Sequence, residues 1–123
     1  MDKKSNLTEL IISKKDIKFV TVNMLNMNLK LINLQSNKIK LLPDEICDIK
    51  CLQELHVEKN CLTKLPSDIG KLRNLKVLNV SVNDLKFLPE LKDCKYLEEL
   101  YLFDNKLQSL PHSIGLCEHL KLL

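Results

Sequence analysis

The 123 residues fit one domain, and 45% hydrophobic content beside 28% charged residues excludes a disordered chain. Aromatics make up only 4% and tryptophan is absent, so the core has to be built from aliphatic side chains. Interspersed basic and acidic residues leave a net charge of +3, which excludes the gathered basic field that a nucleic-acid binder needs.

Internal periodicity organises the rest. All four prolines, Pro43, Pro66, Pro89 and Pro111, follow a leucine, and six residues before each stands an asparagine: Asn37, Asn60, Asn83 and Asn105. Both glycines, Gly70 and Gly115, share one offset after the proline. Aligned on these anchors, the chain reads L-x-x-[LI]-x-[LV]-x-x-N-x-[LI]-x-x-L-P from Leu29, Leu52, Leu75 and Leu97.

In chain order, Met1 to Asn6 is polar, and Leu7 to Ile12 is too short for a signal-peptide core. Residues 7–28 form a degenerate first unit, with Leu7, Leu10, Ile12, Ile17, Val20, Met24 and Met27 in register. There Lys15 replaces the asparagine and no proline follows Val20, which puts the turn geometry in question. Full units follow at 29–51, 52–74, 75–96 and 97–119. The third has lost one residue between Pro89 and Leu91, a change expected in a tolerant outer loop. Residues 120–123 begin another unit, placing Leu120 and Leu123 at its first and fourth positions.

Each unit alternates apolar and polar residues, as in Leu55-His56-Val57, which predicts a short strand with one buried face. The asparagine is expected to satisfy backbone groups where the chain leaves the strand. Proline suits the first position of a short helical turn, and Asp44 and Glu45 suit its N-terminus. The resulting fold class is α/β: a solenoid with a parallel sheet on the concave face and short helical or extended turns on the convex side.

These units resemble leucine-rich repeats of the 23-residue intracellular kind, with Leu42-Pro43 followed by Ile46 and Leu65-Pro66 by Ile69. They are similar to the repeats of Ras-group and Scribble-type scaffold proteins. The resemblance implies a short horseshoe arc and a non-catalytic module that binds a protein partner, often in signalling. A self-associating structural protein and the repeat arm of a larger signalling enzyme are the alternatives.

The expected inner face carries Glu54, Val77 and Glu99 in one row, His56, Asn79 and Tyr101 in a second, and Glu58 and Phe103 in a third. The eighth positions, Lys14, Ser36, Lys59, Val82 and Asp104, are read as part of it. Tyr101 and Phe103 are the candidate anchors, because aromatics among polar neighbours dominate binding interfaces. Val77, Asn79, His56, Glu58 and Glu99 complete the candidate site. Glu54, His56 and Glu58 invite a metal reading, but alternate strand residues start nearly 7 Å apart at their bases, too wide for easy chelation.

Five cysteines, an odd number without paired spacing, point to reduced thiols and a cytoplasmic location. Cys94 and Cys117 take core leucine positions and read as packing residues. Two glycines cannot build a phosphate loop, and no serine stands in a nucleophile elbow, so neither catalysis, cofactor nor metal is expected. Leu120 and Leu123 at an uncapped C-terminal edge suggest a homo-oligomer, since a solenoid end needs a polar cap. Membrane insertion is not expected without a run of about 20 apolar residues.

Overall fold

The computed structural model describes residues 7–123. Six parallel strands form one sheet in chain order: β1 (Glu9–Ile11), β2 (Leu31–Asn33), β3 (Glu54–His56), β4 (Val77–Asn79), β5 (Glu99–Tyr101) and β6 (Lys121–Leu122). Glu9 pairs with Leu31, Leu31 with Glu54, Glu54 with Val77 and Val77 with Glu99, so equivalent positions stack into continuous rows. The central residue of each strand turns inward. Ile32, Leu55, Leu78 and Leu100 have no exposed surface, and Leu29, Leu52, Leu75 and Leu97 close the core beneath them.

The asparagines hold the turns. Asn83 is buried, and its Oδ1 accepts the Leu62 N–H at 2.9 Å while its Nδ2 donates to Val57, Val80 and Ser81 carbonyls at 3.0–3.2 Å. Asn60 and Asn105 repeat this arrangement toward Ile39 and Leu85. Every such bond to an N–H reaches into the preceding rung. That explains why Lys15 is tolerated. Asn37 Oδ1 accepts from both Lys15 N–H and Ile17 N–H, so the first turn keeps its geometry with an asparagine supplied from the next unit.

The eighth positions differ from the sequence reading. Lys14, Ser36, Lys59, Val82 and Asp104 all have φ between 54° and 59°, the left-handed region, because the backbone reverses there to leave the sheet. They form the corner of each rung and not its inner face. Val82 is β-branched and therefore the most strained of the five.

On the convex side, 3-10 turns span Val22–Met24, Asp44–Asp48, Ile69–Lys71 and His112–Leu116. Pro43 and Pro111 precede their turns in extended conformation and do not occupy the first helical position. The shortened third unit has no such turn among the described residues. Its backbone folds against the neighbouring rungs: Asp93 N–H donates to the Gly70 carbonyl at 3.0 Å, and Leu91 N–H donates to the buried Ser113 hydroxyl at 2.6 Å. Glu90 Oε1 accepts the Ser113 N–H in return, and hydrogen bonding from the Ser113 hydroxyl and then from its N–H holds the Glu90 carboxyl below its usual range. The lost residue is absorbed by close packing, not by a slack loop.

The last rung also departs from expectation. Leu122 stands beside Leu100, one position earlier than the placement of Leu123 there. A one-residue shift exchanges faces along a strand. Leu120 packs against the core, whereas Leu122 and Leu123 are about half exposed.

Candidate functional site

The sheet brings the candidate residues onto one face, because alternate side chains of each strand point away from the core. His56, Asn79 and Tyr101 lie in register on three adjacent strands, with Glu54, Val77 and Glu99 in the row beside them. All six are partly exposed. Glu58 follows in the next row, also partly exposed, while Phe103 is 53% exposed.

Hydrogen bonds along each strand fix these groups. His56 Nε2 lies 2.9 Å from Glu54 Oε1, so residues two apart do converge through their side chains despite the spacing at their bases. Tyr101 donates its hydroxyl to Glu99 Oε1 at 2.5 Å, and this carboxylate acceptor raises the phenol above its ordinary pKa. Asn79 Oδ1 accepts from both the hydroxyl and the N–H of Ser81. Ordered in this way, the polar groups lose little freedom on contact with a partner.

Glu58 stands apart. Its Oε1 is the one buried side-chain oxygen or nitrogen among the described residues without a hydrogen-bond partner. A carboxylate oxygen in that state calls for a donor. Glu9, Glu54, Glu58 and Glu99 face outward from the sheet against Lys121, so the surface is acidic and set with two aromatic rings. No group of three or more His, Cys, Asp or Glu side chains suited to a metal ion occurs among the described residues.

The thiols serve the backbone. Cys94 Sγ donates to the Leu72 carbonyl at 3.4 Å and Cys117 Sγ to the Cys94 carbonyl at 3.3 Å, each reaching the preceding rung. Burial pushes Cys47 up to about 11 and Cys94 up to about 12, and it raises Cys117 as well. These three are poor nucleophiles at neutral pH. No described helix is long and apolar enough to cross a membrane.

One surface escaped the sequence reading. Phe19, Leu41 and Phe87, each more than half exposed, stand two residues before the proline position and line a trough beyond the carboxyl ends of the strands. The recurrence of bulky apolar residues at that single position was the available signal.

Comparison with known proteins agrees with this architecture. A model of the leucine-rich repeat region matches residues 10–123. The chain is 38% identical over 81 residues to the probable inactive serine/threonine-protein kinase roco10 of Dictyostelium discoideum, a match covering 66% of the chain and 3% of that protein. It is 40% identical over 57 residues to human Toll-like receptor 1, covering 46% of the chain and 7% of the receptor. Among solved structures, a leucine-rich repeat protein of Leptospira interrogans superposes with a TM-score of 0.80 at 31% identity, over 98% of the chain and 37% of that structure. The functional domain of InlJ from Listeria monocytogenes gives a TM-score of 0.83 at 25% identity, over 99% and 26% respectively. The chain thus spans a small part of each of these relatives. With an asparagine-fastened parallel sheet, four leucine-proline pairs and a family match over nearly its whole length, the chain belongs to the leucine-rich repeat family.

Proposed function

We propose that this chain is a non-catalytic interaction module that grips a protein partner through its concave sheet, with Tyr101 and Phe103 as anchors. The register of His56, Asn79 and Tyr101 on three adjacent strands, with Phe103 more than half exposed beside them, is the observation that carries this reading. Val77 supplies apolar area beside the rings, while His56, Asn79 and Glu99 set the polarity. Leucine-rich repeat regions generally bind proteins, and the acidic, aromatic face favours a basic or donor-rich segment.

Paired affinity capture from the native cell tests this reading, using the wild-type chain and a Tyr101→Ala, Phe103→Ala variant of unchanged circular dichroism. A protein recovered by the first and lost by the second is the expected result. Equal recovery by both chains removes the concave site.

A second reading, self-association, draws on the half-exposed Leu122 and Leu123. Leu122 and Leu123 replaced by aspartate should abolish any concentration-dependent dimer in sedimentation while leaving concave binding intact. A role as the repeat arm of a larger signalling protein is consistent with the likeness to the probable inactive kinase roco10. Five free cysteines, an odd number without paired spacing, favour a reducing, cytoplasmic compartment.

A further inference from the structure

The trough beyond the strand ends has a volume of about 1320 Å³ and runs from the first unit to the third proline, Pro89. Its apolar row is built by alternation. Val20, Leu42, Leu65 and Leu88 turn into the core, so the residue before each, Phe19, Leu41, Lys64 and Phe87, is forced outward. Phe19 is 76% exposed, Leu41 54% and Phe87 56%. Three large apolar groups gathered in one concavity exceed the scatter of single exposed side chains that soluble proteins show.

Charge selects what can lie there. Lys18, Lys38, Lys40 and Lys64 border the trough against Asp44 and Glu90. Lys38 is paired with Asp16 at 3.6 Å, so Lys18, Lys40 and Lys64 face the carboxylates of Asp44 and Glu90. Three ammonium groups against two carboxylates leave a basic excess over an apolar floor, whereas the concave sheet carries a row of glutamates. Phe19 and Phe87 sit three rungs apart, roughly 14 Å at about 4.8 Å per rung, a span that some four or five residues of extended chain cover.

We propose that this trough is a second docking surface, for an extended acidic peptide segment carrying two bulky apolar side chains. Its apolar residues seat against Phe19 and against Leu41 with Phe87, and its carboxylates meet Lys18, Lys40 and Lys64. The surface is independent of the concave site, and its partner differs in charge.

Fluorescence anisotropy with a short labelled peptide of alternating aspartate and phenylalanine tests the assignment on the full chain. Versions with lysine for aspartate, or serine for phenylalanine, serve as competitors. The acidic aromatic peptide should bind, weaken at higher salt, and lose at least about tenfold in affinity in a Phe19→Ser, Phe87→Ser variant. The Tyr101→Ala, Phe103→Ala variant should bind it unchanged. Cys61 lines the trough, so saturating peptide should slow its alkylation in the wild-type chain, a readout that needs no variant. Equal binding of the lysine peptide, unaltered Cys61 labelling, or loss of binding only in the concave variant overturns the proposal. So do two other occupants: binding to phosphatidylserine vesicles without peptide binding, or a dimer that dissolves in the Phe19→Ser, Phe87→Ser variant.

Discussion

Replacing Gly70 by alanine should destabilise the fold, whereas the same change at Gly115 should not. A Cβ on Gly70 meets the Glu90 carbonyl oxygen at 2.1 Å and Leu91 Cα at 2.9 Å, both backbone atoms that cannot rotate away. Relief requires the 90–91 backbone to retreat by about 1 Å, which drags fully buried Leu91 and stretches the hydrogen bond from Asp93 N–H to the Gly70 carbonyl. Overpacking of this kind costs about 1–3 kcal/mol. A weakened hydrogen bond adds about 1 kcal/mol, so Gly70→Ala should lose about 2–4 kcal/mol. Neither glycine has positive φ, so the requirement at Gly70 is space alone. Nothing lies within 4 Å of a Cβ on Gly115, where alanine should gain about 0.4–1 kcal/mol by restricting the unfolded chain. Urea titration followed by circular dichroism measures both. The cause can be separated too: one residue inserted between Glu90 and Leu91, restoring the length of the other units, should recover part of the loss in Gly70→Ala. Equal midpoints for the two alanine variants, or no recovery on insertion, would refute the packing argument.

Asn83→Ala removes four hydrogen bonds and orphans the buried Leu62 N–H, so a loss of about 3 kcal/mol in the same titration is expected. Val82→Asn relieves a β-branched residue at φ 54° and should raise stability by about 1 kcal/mol. A midpoint at or below wild type contradicts that strain. Thiol titration at neutral pH should modify Cys51 and Cys61 first, with Cys47, Cys94 and Cys117 reacting only on unfolding. Five rapid equivalents count against their burial. The same thiols imply alkaline sensitivity: the folded state keeps protons that the unfolded thiols release near pH 9. Stability should therefore fall as pH climbs from about 9 toward 11, in excess of a Cys47→Ala, Cys94→Ala control.

The repeat was legible because each anchor has a distinct physical duty. Asparagine alone among the recurrent residues both donates and accepts at the turn, and Ile32, Leu55, Leu78 and Leu100 alternate with polar neighbours as a one-sided sheet demands. What remained hidden was context. Gly70 and Gly115 share one offset, yet only the first faces a neighbour shortened by a residue, a relation between units and not within one. Lys15 looked disqualifying until the bond direction showed its turn served from Asn37. The corner residues, Val82 above all, read as strand because composition does not reveal a sign change in φ. The outward tilt of Phe19, Leu41 and Phe87 depends on which of two adjacent apolar residues wins the core, and a run such as Leu41-Leu42 does not disclose it.

The one-way fastening of the asparagines has a consequence for synthesis. The N–H groups of Ile17, Ile39, Leu62 and Leu85 wait for a side chain located 20 or 21 residues later in the chain. A nascent solenoid of this kind is therefore always one coil behind its own ribosome. Each newly emerged asparagine closes the turn of the rung before it, so these hydrogen bonds can be completed only from the amino end onward.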